Sequence, residues 1–188
     1  MIRPRLGTVA AILVVLVCAG LLALVLRQAS GQRLPLRETA IIRAQASEKH
    51  LDPALIAAVI YAESKFEPRP SSAGAQGLMQ ILPATAYYLA QLSGGHAFTS
   101  SDLATPSINV AYGSYYLRYL LDHYHGNEML AVAAYNGGLA NVDRWVAKSG
   151  GHLAIEEIPF PETREYVHRV LGAQAIYRAT YRQELGID

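Results

Sequence analysis

The stretch Asp52-Pro53-Ala54-Leu55-Ile56-Ala57-Ala58-Val59-Ile60-Tyr61-Ala62-Glu63-Ser64 reads as an apolar helix with one acid near its end. Asp followed by Pro is a good N-cap and first-turn pair. Counting back three, four and seven residues from Glu63 gives Ile60, Val59 and Ile56, which share one helix face. Glu63 therefore lies on the stripe expected to face the core. A carboxyl held against apolar side chains has its charged form disfavoured, which raises its pKa toward the range a general acid needs. Taken alone, a helix-end glutamate is more often a wet surface or capping residue. The rest of the chain has to decide between these readings.

The 188 residues suffice for one compact domain and an appendage, and 52% are hydrophobic. The formal charge of +1 is unevenly spread. Taking Arg3, Arg5, Arg27 and Arg33 from the 16 basic residues leaves 12 against 15 acidic, a balance of −3. A mildly acidic domain argues against nucleic-acid binding, which relies on clustered Lys and Arg. The single cysteine, Cys18, excludes an intramolecular disulfide. Val17 precedes it and apolar residues follow, so it is not read as a lipidation site.

Leu6 to Leu26 carries no charge and is long enough to cross a bilayer as a helix. A signal peptide usually has a shorter apolar run. A retained anchor is therefore expected, although Ala29-Ser30-Gly31 would also serve as a cleavage site. Arginines flank both ends of the run, so charge does not fix its orientation. The expected division is an anchor or signal with a short linker at 1–33 and a single domain at 34–188.

The domain reads as helices broken by Gly and Pro. Expected helices cover Arg37 to His50, Pro53 to Phe66, Pro83 to Leu92, Pro106 to Tyr124, a segment capped by Asn127 and ending at Tyr135, Leu139 to Ala147, and Glu162 to about Gln183. Pro68 and Pro70 are expected to stop the second. The Gly-rich segment from Ser71 to Gln80 is read as loop, with a short hairpin around Ser71 to Ile81 as the one sheet-like feature.

Four segments carry chemistry. Ala62-Glu63-Ser64 is followed by Gly74-Ala75-Gln76-Gly77-Leu78-Met79-Gln80-Ile81. Then come Ala134-Tyr135-Asn136-Gly137-Gly138 and Ile158-Pro159-Phe160-Pro161-Glu162-Thr163-Arg164-Glu165-Tyr166-Val167. In order and spacing, with Pro83-Ala84-Thr85-Ala86 and Asn109 between them, they resemble the lytic transglycosylases that carry the soluble-lytic-transglycosylase (SLT) catalytic domain. The resemblance runs from about Arg37 to Leu171.

It implies a mainly α, lysozyme-like domain (α+β with minimal sheet), preceded here by one N-terminal transmembrane helix. The implied substrate is the glycan of bacterial peptidoglycan, and the implied place is the extracytoplasmic face of the inner membrane. By motif, Glu63 would be the catalytic acid and Ser64 would sit beside it. Met79 and Gln80 would line the cleft. Tyr135 and Asn136 would approach the acid and the sugar, and the Tyr166 hydroxyl would reach the Glu63 carboxyl. The family's third motif usually reads Ala-Tyr-Asn-Ala-Gly-Pro; here Gly137 replaces Ala and Leu139 replaces Pro, which loosens the expected turn.

Plainer roles compete at several of these positions. The Ser64 hydroxyl could equally bond its own helix carbonyls. Met79 could be core filler. Tyr135 and Tyr166 outside their motifs would be ordinary buried tyrosines. Of the tyrosines at 87, 88, 112, 115, 116, 119 and 124, some could stack on sugars and most should pack, while Trp145 reads as core.

Most glycoside hydrolases use two carboxylates, and this chain offers one credible candidate. Glu67 lies four residues on, but Pro68 disfavours helix there. A single acid suffices if the substrate supplies its own nucleophile. Two other readings stay open: a hydrolytic muramidase on the same glycan, and a non-catalytic wall-binding scaffold. No cofactor or metal is implied. His123 and His125 point to different sides of a helix, and no His-Glu-x-x-His pattern occurs.

Overall fold

The computed structural model describes residues 33–68, 70–94 and 99–187. The expected anchor at 6–26 lies outside them. Among the described residues, no helix is long and apolar enough to cross a membrane. The chain divides into units Met1–Arg33 and Leu34–Asp188.

Eight α-helices are present among the described residues: α1 Thr39–Lys49, α2 Pro53–Ser64, α3 Pro83–Ser93, α4 Pro106–His123, α5 Glu128–Gly137, α6 Leu139–Lys148, α7 Pro161–Thr180 and α8 Arg182–Leu185. Turns of 3-10 helix lie at Ser100–Ala104 and Ile155–Glu157. The expected hairpin reduces to one antiparallel bridge, in which Gln76 and Ile81 exchange two backbone hydrogen bonds of 3.0 Å.

Helix α2 is the axis of the domain. The single apolar stripe expected of it is too modest a description, because every residue from Ala54 to Ile60 is at most 1% exposed. A helix apolar on all sides is one that packs on all sides. Beyond Pro53 at its start, it surfaces only in its last turn, where Tyr61, Ala62 and Glu63 are half-buried. Its principal partner is α7, which runs antiparallel to it. Asp52 caps α2 by accepting from the Ala54 backbone N–H at 3.0 Å. The other oxygen of Asp52 accepts from Gln174 and Arg178 of α7, each at 2.8 Å. Polar side chains thus fix the register of the pair at this end.

The prolines are not what ends α2. Lys65 and Phe66 adopt left-handed backbone (φ 53° and 63°), so the helix stops at Ser64, two residues short of the expected boundary. Such conformations are costly for non-glycine residues and persist where packing over-determines them. Here Phe66, 2% exposed, turns back into the core and meets the Tyr177 ring edge-on at 6.4 Å.

The segment Gly74–Ile81 is held by one buried side chain on α4. Asn109, with no exposed surface, accepts from the Met79 backbone N–H at 2.8 Å. Its amide donates to the carbonyls of Gln76 at 2.8 Å and Leu103 at 3.0 Å. One carboxamide therefore joins the loop, a 3-10 turn and α4. Asn109→Ala removes three hydrogen bonds and leaves buried partners unsatisfied. It is expected to destabilise the domain by about 2–4 kcal/mol, read as a lower denaturant midpoint at unchanged slope. A change below about 0.5 kcal/mol would contradict this assignment.

Candidate active site

Glu63 emerges where the buried helix α2 meets the surface, and three elements converge on it. From α7, the buried Tyr166 hydroxyl donates to Glu63 Oε1 at 2.7 Å. From α5, Tyr135 donates its hydroxyl to the Met79 carbonyl at 2.9 Å, which ties that helix to the Gly74–Ile81 loop. The loop itself brings Gln80 to the same depression as Glu63. That depression, about 320 Å³, is lined by Ala62, Glu63, Ser64, Lys65, Glu67, Pro70, Ser71 and Gln80.

Burial governs the electrostatics. Desolvation pushes the Glu63 carboxyl from the ordinary 4.5 up to about 7, and the nearby Glu162 pushes in the same direction. The Tyr166 hydrogen bond and the charge of Arg169 oppose the rise. Burial also raises the phenols of Tyr135 and Tyr166 well above their usual value, and the Glu63 charge adds to it. Both phenols therefore remain hydrogen-bond donors near neutral pH. The arrangement can hold a proton on a carboxyl near neutrality, release it, and stabilise the resulting anion through a fixed donor.

The other residues read from the motifs fall into two groups. Gln80 lines the Glu63 depression, whereas Asn136 reaches the surface at a second one. Gln80 has left-handed backbone (φ 48°) and donates its amide to the Gly77 carbonyl at 2.8 Å. Asn136 is exposed and accepts from the Thr163 hydroxyl at 2.8 Å. With Gly137, Phe160, Pro161, Glu162 and Thr163 it lines a second depression of about 350 Å³.

Ser64 and Met79 belong beneath the surface. The Ser64 hydroxyl faces the carbonyls of Ile60 at 3.1 Å and Leu78 at 2.8 Å, so it bonds backbone and joins α2 to the loop. Met79 has no exposed surface, and its side chain packs on Gly113 of α4, where even a Cβ would collide with it. The expected cleft-lining thioether is therefore a core group, and it is the Met79 carbonyl that supports the site through Tyr135. Glu67 is exposed beyond the end of α2 and lines the same depression as Glu63.

The departures from the third motif have local causes. A Cβ on Gly137 would sit 3.0–3.3 Å from Thr163 and the Trp145 ring, so these neighbours occupy an alanine's space. Gly138 takes φ 85°, and Asn141 donates its amide to the Gly137 carbonyl at 2.7 Å. A side-chain hydrogen bond thus fixes the turn that lacks the rigid proline. Trp145 is buried, as its reading as core requires, with Phe160 edge-on at 4.9 Å. The sequence reading missed Thr163 and Arg169. Thr163 lies within a quoted motif, and Arg169 could have been found from its spacing, one helical turn beyond Tyr166.

His123 meets Asp143 at 2.9 Å, and Tyr124 donates to the same Asp143 oxygen at 3.0 Å. Among the described residues, no group of three or more metal-ligating side chains occurs.

The family model for the transglycosylase SLT domain matches residues 40–158. The soluble lytic murein transglycosylase of Escherichia coli K12 is 34% identical over 153 residues, covering 78% of this chain and 24% of that protein. The membrane-bound lytic murein transglycosylase C of Edwardsiella ictaluri is 30% identical, covering 71% and 45%. Among solved structures, an inactive Glu-to-Gln mutant of lytic transglycosylase Slt from Pseudomonas aeruginosa superimposes with a TM-score of 0.73 at 36% identity, covering 82% of this chain and 25% of that one. This chain thus spans about a quarter of the length of the soluble relatives it matches. With the motifs, the helical architecture and the buried acid in agreement, the chain belongs to the transglycosylase SLT domain family.

Proposed function

We propose that the domain is a peptidoglycan lytic transglycosylase with Glu63 as its general acid and then its general base. The observation that carries this reading is a half-buried carboxyl whose pKa is raised to about 7 and whose oxygen accepts from a buried phenol at 2.7 Å. The relatives' names supply the substrate class, and the relative inactivated by a Glu-to-Gln change agrees with dependence on one carboxyl.

In the proposed reaction, protonated Glu63 gives its proton to the oxygen between MurNAc and GlcNAc, and the glycosidic bond breaks. The MurNAc 2-acetamido oxygen stabilises the anomeric carbon as an oxazolinium or oxocarbenium species. The Glu63 carboxylate then takes the proton of the C6 hydroxyl on the same sugar, and that oxygen closes on the anomeric carbon. The products are a 1,6-anhydro-MurNAc end and a free GlcNAc end, and no water is consumed. Tyr166 steadies the carboxylate that exists between the two proton transfers. Gln80, Asn136 and Tyr135 complete the proposed cleft, with Ser64 and Met79 supporting its floor. The run Leu6–Leu26 would tether the domain to the inner membrane facing the wall.

Mass spectrometry of purified glycan digested by the full chain should show anhydro-MurNAc ends; reducing MurNAc ends would instead mark a hydrolase. Glu63→Gln keeps the shape and the acceptor for Tyr166 but removes the donated proton, and turnover should fall by about 10²–10⁴-fold or more. Unchanged turnover would favour the wall-binding scaffold. Tyr166→Phe removes an influence that lowers the Glu63 pKa, so the alkaline limb of kcat/KM should move upward while the maximum falls about tenfold. A downward move would contradict the assignment.

Stability gives an independent check. The folded chain holds the Glu63 proton to about pH 7, whereas the unfolded chain releases it near 4.5. Stability is therefore lost as pH rises between these values, and the full cost is present above the upper one. Glu63→Gln should stabilise the protein by roughly 1–3 kcal/mol at pH 8 and leave it nearly unchanged at pH 4, as followed by thermal melting. Equal effects at both pH values would contradict the burial of an ionising group.

The tether is tested by washing membranes with alkaline carbonate. The full chain should remain with the membranes, and recovery of a soluble form beginning near Gly31 would identify a cleaved signal instead.

A further inference from the structure

Helix α7 carries three charged or polar groups along one stripe, and each acts on Glu63. Glu162, Tyr166 and Arg169 are spaced by four and three residues, which stacks them on one helix face. Tyr166 is the direct partner of Glu63 at 2.7 Å. The Arg169 guanidinium lies 5.7 Å from the centroid of the Tyr166 ring, within cation–π range. It is exposed, so its attraction acts on the site through partly aqueous surroundings. Glu162 stands one turn before Tyr166 on the same helix, and the two charges have opposite effects on Glu63.

We propose that Arg169 is a positioning residue for this reaction, resting on the acid role of Glu63 given above. Its cation braces the face of the phenol that holds the Glu63 carboxyl, and its charge favours the ionised form of that carboxyl against the larger effect of burial. In a two-proton cycle the same carboxyl must be a willing donor first and a stable anion second. Burial alone favours the first state. A cation at the rim, acting together with the phenol, favours the second.

The other groups around Glu63 do not duplicate this part. Tyr135, from α5, is a neutral phenol that bonds the Met79 carbonyl. Lys65 and Glu67, from the segment after α2, line the same depression with opposite charges. Gln80 and Ser71 carry no charge. Arg169 is therefore the cation of α7 that lies against the Tyr166 ring, and it is not among the residues lining the depression that Lys65 and Glu67 share. Its role would not have been seen from the quoted motifs, which end at Val167.

The test compares the full chain with Arg169→Gln and Arg169→Lys, and follows kcat/KM for purified glycan from pH 5 to 9. Arg169→Gln should move the alkaline limb upward, raising the ratio of activity at pH 8 to that at pH 6 about two-fold. Arg169→Lys should restore the limb, because it restores the charge. Raising ionic strength from about 0.05 to 0.5 M should move the limb of the unmodified chain toward that of Arg169→Gln, since an exposed charge is screened over these distances.

Direct titration of the Glu63 carboxyl by ¹³C NMR in the same variants reads the shift without reference to turnover. An Arg169→Gln titration midpoint equal to that of the unmodified chain overturns the proposal. So does an equal loss of activity in the Gln and Lys variants with the limb unmoved, which is the signature of a merely structural contact. If Glu63→Gln remains active, or no anhydro ends form, the acid role fails, and the NMR titration still decides whether Arg169 governs the carboxyl.

Discussion

The antiparallel contact between α2 and α7 is the constraint on which the rest of the domain depends. At one end, Asp52 caps α2 and accepts from Gln174 and Arg178. At the other, Glu63 accepts from Tyr166. Between them, α2 is sealed on every side by apolar neighbours. The polar bonds at the two ends add modest energy individually. Their larger effect is on register: a one-residue slip would separate Tyr166 from Glu63 and Asp52 from Gln174 together.

That packing explains how a carboxyl comes to be sheltered without being lost in the core. A helix buried throughout must end somewhere, and its last turn is half in and half out of the interior. Glu63 occupies that turn. The left-handed pair Lys65 and Phe66 then swings the chain away, and Phe66 plugs the core beside Tyr177. Across the depression, Gln80 also adopts left-handed backbone. Strain is thus concentrated on both sides of the acid, held by Asn109 under the loop and by Phe66 after the helix. Such conformations survive where surrounding contacts leave the chain no cheaper alternative.

Several helix starts were legible in the sequence, because Pro53, Pro83 and Pro106 stand at first-turn positions and Asn127 accepts from the Leu130 N–H as a cap should; the starts at Thr39 and Pro161 differ from the expected Arg37 and Glu162. Helix ends were less legible. No local signal announces left-handed backbone at Lys65 and Phe66, because tertiary packing imposes it. The motifs brought the right segments together, but residue types did not reveal which atoms face the cleft. Met79 and Ser64 sit in the right loop and helix, yet one fills a gap over Gly113 and the other bonds carbonyls. Asn109 was visible only as a motif letter, although it supports the whole Gly74–Ile81 segment. The proposed anchor rests on the apolar run itself, which lies outside the described residues.

Glu63 remains protonated near neutrality because the fold shields it, and the Tyr166 hydroxyl donates to the carboxylate once the proton leaves. The most direct measurement is the carboxyl carbon chemical shift of Glu63 as a function of pH, in the full chain labelled with ¹³C at glutamate and assigned with Glu63→Gln. The account predicts a titration midpoint near 7. A midpoint at the ordinary carboxylate value of 4.5 would contradict it.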